Sequence, residues 1–259
     1  MLGVRSLWIV SLIEIVGCGM NSSAPEKYFD EPRQLEAARA IVSEDVVRLR
    51  AATRGLDIDE PGKTPITLLW FAIHERKFEM IKTLVEMGSK PDQQVVQGLG
   101  NPIHYALQNQ DTRILRAILD GGFPVSHADK SGTTLLHEAA GALGATLDHV
   151  KLLVERGAKL DAQDAIGDTP LDFAIETRQP DRAKYLLERG AKLNTFTTRG
   201  ATPAWTVQRV LDRLKPETDM HRRFAELREL MIERGAKFPP DSPEQVRAWM
   251  KSQGIRVAE

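Results

Sequence analysis

"GDTPLDFAIETRQPDRAKYLLERGAKLN", Gly167 to Asn194, is the stretch that decides the fold. Thr169 is placed to cap a helix, because its hydroxyl accepts from one of the free backbone N–H groups of a first turn. Pro170 follows at the first helical position, where a missing donor is no loss. Leu171, Ala174 and Ile175 then fall at i, i+3 and i+4, giving one apolar stripe on a helix of about two to three turns that ends before Pro180. A second helix carries Ala183, Leu186 and Leu187 on its buried side, and Gly190 supplies the left-handed residue that stops it. Helices this short are marginal in water, and two of them cannot keep water off their own stripes. The hairpin needs neighbours.

The chain supplies them as repeats. With Thr169 as a marker, the equivalents are Thr67, Asn101, Thr134 and Thr202, at successive intervals of 34, 33, 35 and 33 residues. They open "TLLWFAI" (67–73), "NPIHYAL" (101–107), "TLLHEAA" (134–140), "TPLDFAI" (169–175) and "TPAWTVQ" (202–208). The second helices read "MIKTLVEMGSKPD" (80–92), "ILRAILDGGFPVS" (114–126), "HVKLLVERGAKLD" (149–161), "RAKYLLERGAKLN" (182–194) and "LRELMIERGAKF" (227–238). This pattern resembles the ankyrin repeat family from about Gln34 to Phe238. The resemblance implies an all-α fold: an ankyrin-repeat solenoid of about five full repeats with degenerate helical caps at both ends. The repeats are expected at 60–92, 93–126, 127–161, 162–194 and 195–237.

Departures from the period are informative. "GALGAT" (141–146) has two extra residues, so the link between the helices of that repeat is expected to bulge. The last repeat gains about twelve residues between Gln208 and Phe224, including "KPETD" (215–219), which predicts longer helices and a protruding turn. A charged helix pair within 34–59 reads as the N-terminal cap. At 238–259, Ser242, Pro243 and Gln245 open a capping box and Gly254 ends a lid helix, with Trp249 and Val246 as its expected apolar contacts.

Composition fits one elongated soluble domain, because a solenoid spreads its core along its axis. Aromatics are only 6% of the chain, as expected where Ala and Leu do the packing. The net charge of -1 offers no overall attraction to nucleic acid or anionic lipid.

The N-terminus, "MLGVRSLWIVSLIEIVGC", has one cation at Arg5 and then an apolar run, Leu7 to Val16, too short to span a bilayer. That is the layout of a signal peptide over 1–17. Ile15-Val16-Gly17-Cys18 also resembles the bacterial lipoprotein box, which implies acylation at Cys18, the chain's single cysteine. Glu14 inside the apolar run opposes membrane insertion. A plain apolar leader or a mis-assigned start codon is the alternative. Residues 18–33 read as a polar tether, and several acyl chains would anchor it stably where one would not. Gly19, without the Asp that favours inner-membrane retention in enteric bacteria, favours the outer membrane. The expected address is therefore the bacterial cell envelope, facing the periplasm, with the membrane reached through the lipid anchor only.

No constellation for catalysis, metal or cofactor is found: HExxH, paired CxxC, GxSxG and P-loop spacings are absent. His104 and His137 hold the position where, in this family, the imidazole ties neighbouring repeats, and Trp70, Asp172 and Trp205 stand in the equivalent places. Asp164 and Asp168 are expected to hold an inter-repeat turn.

Surface recognition remains, and the resemblance implies where. The fingers between repeats and the exposed side of the first helices form a concave binding face in ankyrin proteins. The positions carried over include Glu60, Lys63, Lys130, Ser131, Thr133, Ala165, Ile166, Asp168, Thr198 and Arg199 on fingers, and His74, Glu75, Gln108, Asn109, Glu176 and Thr177 on helices. Val95, Val96, Leu99, Ile166 and Phe196 put apolar groups on fingers. They either anchor a protein partner or pack finger to finger. The basic and acidic insertion at 209–223 reads as a solvated helix pair rather than an anion site.

The expected function is a monomeric, lipid-anchored binder of another protein. The specific expectation is an immunity protein that neutralises an interbacterial toxin delivered by type VI secretion. The alternative is a periplasmic scaffold or protective adaptor for a resident enzyme such as catalase.

Overall fold

The computed structural model describes residues 24–94 and 100–258. The expected leader, Cys18, Gly19 and the finger residues Val95, Val96 and Leu99 lie outside the described residues. The described chain has thirteen α-helices, no strand and one 3-10 turn at Pro25–Lys27. Twelve of the helices form hairpins: α1 (Pro32–Ser43) with α2 (Val46–Ala52), α3 (Leu68–His74) with α4 (Phe78–Glu86), α5 (Pro102–Gln108) with α6 (Thr112–Asp120), α7 (Leu135–Gly141) with α8 (Leu147–Glu155), α9 (Pro170–Glu176) with α10 (Pro180–Glu188), and α11 (Pro203–Leu211) with α12 (Asp219–Glu233). The thirteenth, α13 (Pro243–Ser252), follows alone.

The markers read from sequence start helices. The hydroxyls of Thr67, Thr134, Thr169 and Thr202 accept from the backbone three residues on at 3.3, 3.4, 3.4 and 3.2 Å, and Asn101 Oδ1 does the same at 2.8 Å. Each satisfies a first-turn donor that would otherwise be orphaned. At the other end of the hairpin, Gly190 has φ +100° with open space around it, so only backbone conformation demands glycine there.

Contacts divide the chain into two compact units, residues 1–106 with 111–123, and residues 107–110 with 124–259. Nearest-neighbour stacking accounts for this, since a repeat protein has no central core to tie distant hairpins together.

In the first unit α1 packs on α2 and α3, α3 on α4, and α4 on α6. Leu68, Leu69, Phe71, Met80, Ile81, Leu84, Ile114, Leu115 and Ile118 fill it. The tether expected at 18–33 does not extend through its described part. Phe29 is 1% exposed and meets Phe71 edge-on at 5.5 Å, with Tyr28 on the same ring at 5.4 Å. The two aromatic side chains bury surface that a tether would leave in water, and α1 already starts at Pro32.

In the second unit α7 packs on α8 and α9, α9 on α10 and α11, and α12 on both α10 and α11. Ala139 and Ala174 are fully buried, and such small side chains let α7 and α9 approach closely. The last hairpin is longer, as its insertion predicts: α11 has 9 residues against 7 in the other first helices of the repeats, and α12 has 15 against 9. In the lid helix α13 the capping box of Ser242 and Gln245 forms. Its buried contact is Met250, 1% exposed, while Val246 is half-buried. Trp249, expected inside, is 50% exposed and lies edge-on to Phe196 at 5.5 Å, because the helical register turns Met250 inward instead.

The insertion at 141–146 is held by one residue. Arg182 is 6% exposed, and its guanidinium donates to the carbonyls of Ala139 at 3.2 Å, Ala140 at 3.1 Å and Ala142 at 2.7 Å, and to Ala145 as well. These are carbonyls left without helical partners where α7 stops and the extra residues begin. Within the insertion, Gly144 lies against the end of α5, since a Cβ there would stand 2.0 Å from the Gln108 carbonyl oxygen.

Candidate functional site

Three fingers of the second unit are built alike. In each, a short polar side chain accepts from the backbone two and four residues on. Asp129 Oδ1 holds Ser131 N at 2.8 Å and Thr133 N at 2.9 Å. Asp164 Oδ1 holds Ile166 N at 2.9 Å and Asp168 N at 3.0 Å. Thr197 Oγ1 holds Arg199 N and Ala201 N, both at 3.2 Å. These are turn-holding roles, as expected for Asp164.

The three fingers are also bonded in series. Ala165 N donates to the Ser131 carbonyl at 2.7 Å, Thr198 N to Ile166 at 2.8 Å, and Ala258 N to Thr198 at 2.8 Å. The chain's C-terminal residues therefore close the row, and Arg247 Nη1 adds a bond to the Arg199 carbonyl at 2.8 Å. His137 couples finger to helix. Its Nδ1 accepts from Thr134 N at 3.0 Å, so Nε2 carries the proton and donates to the Asp168 carbonyl at 3.0 Å. The ring is fully buried, and that desolvation lowers its pKa.

On this row Lys130, Ser131, Ala165, Ile166 and Arg199 are exposed, and Thr133 is half-buried. Asp168 sits on it differently: it is 8% exposed, and burial first, then the neighbouring Asp172, pushes its carboxyl up to about 7. Asp172 takes the place of the histidine one repeat on. It is buried, it accepts from Thr169 N at 2.9 Å and from Thr169 Oγ1 at 2.7 Å, and burial raises it to about 6. Ile166 is half-exposed at 50%, whereas Phe196 is partly covered by Trp249.

The remaining carried-over positions lie elsewhere. Gln108, Glu176 and Thr177 are exposed at the C-terminal ends of α5 and α9, about 10 Å along a seven-residue helix from its finger. Asn109, just past α5, is half-buried. Gln108 and Thr177 lie against the insertion, close to Gly144 and Gly141. Glu176 pairs with Arg209 at 3.1 Å. In the first unit Lys63 is exposed, but His74 and Glu75 bond each other at 3.1 Å, and the Glu75 side chain is only 6% exposed. Cations of the insertion at 209–223 are paired within the last hairpin and with the preceding repeat: Arg222 with Asp219 and Glu226, Arg209 with Glu176 of α9, and Arg223 with Asp181 of α10.

Sequence reading missed Arg182, although a signal was there. The column it occupies holds Met80, Ile114, His149 and Leu227 in the other repeats, all buried. A cation in a buried column marks a partner one repeat away. Among the described residues no group of three His, Cys, Asp or Glu side chains is arranged to hold a metal ion, and no helix is long and apolar enough to cross a membrane. An open groove of about 710 Å³ lies between the Gly190–Asn194 and Arg234–Lys237 turns and Val246 of α13.

The sequence model of the family described as Ankyrin repeats (3 copies) matches residues 69–164 and 103–197. Protein PhlB of Serratia liquefaciens is 28% identical over 180 residues, covering 66% of this chain and 78% of that protein. SH3 and multiple ankyrin repeat domains protein 2 of Homo sapiens is 29% identical over 177 residues, 62% of this chain and 10% of that protein. The B-cell lymphoma 3 protein homolog of Mus musculus is 29% identical over 131 residues, and the match spans 29% of its length. Among solved structures, the ankyrin repeat domain of Bcl-3 superposes with a TM-score of 0.57 at 21% identity, over 83% of this chain and 97% of that one. An ankyrin repeat domain from Acinetobacter baumannii AYE gives 0.56 at 22%, over 78% and 98%.

Proposed function

The chain carries ankyrin repeats across residues 69–197 and is by that stretch and its fold an ankyrin-repeat protein; on this premise we propose that it is an envelope-tethered binder that neutralises an interbacterial toxin by covering it. Ankyrin repeats are protein–protein interaction modules, typically without catalysis of their own. The observation that carries the reading is the bonded row of fingers in the second unit. It presents Lys130, Ser131, Ala165, Ile166 and Arg199 to solvent on backbone fixed before any partner arrives. A pre-ordered surface loses little entropy on binding, which suits tight, occluding recognition. Ile166 is the apolar anchor, flanked by polar groups of both signs. The envelope address rests on the sequence around Cys18.

Two measurements test this. Full-length protein from envelope extracts should retain a protein partner, and Ile166→Glu should weaken that complex by about tenfold, roughly 1.4 kcal/mol, with unchanged circular dichroism. Equal binding by Ile166→Glu and Lys130→Glu would move the site off the fingers. A captured toxin supports neutralisation, whereas a captured resident enzyme such as catalase replaces it with the scaffold reading. Separately, Cys18→Ser should move the protein from the membrane fraction to the soluble one, and unchanged fractionation would remove the lipid anchor.

A further inference from the structure

Asp168 is mostly buried, at 8% exposed, but the fold gives its carboxylate no partner and leaves the carboxylate oxygens in reach of solvent. Its backbone is fully used: N donates to Asp164 Oδ1 at 3.0 Å, and the carbonyl accepts from Asp164 N at 3.0 Å and from His137 Nε2 at 3.0 Å. Its side-chain oxygens accept no hydrogen bond and join no ion pair among the described residues, although the residue is 8% exposed. Asp172, in contrast, spends its carboxylate on Thr169.

The charges around Asp168 come from four elements. Asp164 shares its finger, Asp172 and Glu176 come from α9, and Arg199 comes from the next finger. On α7 stands His137, whose Nε2–H is committed to the Asp168 carbonyl. After burial, the three acids raise the carboxyl toward about 7 and Arg199 opposes them. Arg199 is itself exposed and makes no ion pair with Asp168. Two residues away, Ile166 is 50% exposed at the finger tip. An exposed aliphatic side chain on the same finger as an unpartnered acid matches a side chain with an apolar stem and a cationic head.

We propose that the partner of the finger face inserts a lysine or arginine side chain whose stem lies on Ile166 and whose head pairs with Asp168. This rests on the reading that the fingers bind a protein, and it names the chemistry of that contact. Because the incoming cation favours the ionised carboxyl, binding expels the proton that Asp168 holds near neutral pH.

The probe is a fluorescein-labelled hexa-arginine amide titrated into the full chain, read by anisotropy at pH 8 and pH 6 at one low salt concentration, with hexa-glutamate for comparison. A carboxyl with a midpoint of about 7 is roughly nine-tenths ionised at pH 8 and one-tenth at pH 6. Wild-type affinity for hexa-arginine is therefore expected to fall about tenfold between them. Asp168→Asn, which keeps the side-chain shape, is expected to weaken binding about tenfold at pH 8 and to remove the pH dependence. Asp148→Asn, an equal charge change on exposed α8, should do neither, and Arg199→Gln should tighten binding. Equal effects of Asp168→Asn and Asp148→Asn, or a wild-type affinity independent of pH, overturns the proposal. The protein captured from envelope extracts separates this failure from failure of the finger face. If Ile166→Glu loses that partner and Asp168→Asn keeps it, the face stands and the cation contact falls.

Discussion

Arg182→Met is expected to destabilise the second unit by about 3 kcal/mol, because it removes four hydrogen bonds to carbonyls at the end of α7 and in the insertion, of which Ala142 keeps a second donor in Ala145 N. A buried acceptor left unmet costs about 1–3 kcal/mol, and Arg182 serves several with one charged group. Part of that loss is offset, since the desolvation that lowers the guanidinium's pKa also disappears. Methionine is the fair replacement: Met80 occupies the same column of an earlier repeat and is fully buried there. The specific claim is that Arg182 exists for the two extra residues. In a chain lacking Leu143 and Gly144, Arg182→Met should become neutral or stabilising, giving a coupling of about 2–3 kcal/mol in the double-mutant cycle. Urea unfolding followed by Trp205 and Trp249 fluorescence, with hydrogen exchange of α7, reads the unit concerned. A cost below about 1 kcal/mol in the full chain, or the same cost in the shortened one, would show that the column and the insertion are independent.

What could be read in the sequence was local or periodic. The Thr169 cap, the Pro170 start and the Gly190 stop each depend on neighbours within one turn, so five copies of the pattern marked where the first helices of the hairpins begin. The fingers followed from the same period. Their side chains did not. Asp168 and Lys130 look equally polar in the sequence, yet one is mostly buried and the other is exposed. Contacts between distant segments were equally hidden: Phe29 against Phe71, Met250 rather than Trp249 under the lid, and Ala258 closing the finger row. Helical spacing says that one of two neighbours turns inward, and only tertiary packing selects which.

Replacing Asp172 by histidine is expected to reverse the pH dependence of the second unit. In the preceding repeat His137 makes two links: Nδ1 accepts from the Thr134 backbone, and Nε2–H reaches the Asp168 carbonyl on the next finger. Asp172 repeats the first link through Thr169 but has no donor for the second, where the Ala201 carbonyl holds the place of Asp168's. Burial also raises its pKa from 3.8 to about 6. The folded chain therefore holds a proton between those values that the unfolded chain has released, so wild-type stability falls as pH rises through that window, and the loss persists above it. Asp168, raised to about 7, extends the same trend. A histidine at 172 is neutral at pH 8 and adds the inter-repeat bond, which predicts a gain of about 2 kcal/mol there. At pH 5 the sign turns. The folded-state pKa of a buried imidazole lies below its unfolded value, as at His137, so the variant loses stability as pH falls through that range. The two stability curves should cross near pH 6, as measured by urea midpoints at pH 5, 6.5 and 8. A wild type more stable than Asp172→His at pH 8, or parallel curves, would mean that the carboxylate is not strained where it sits.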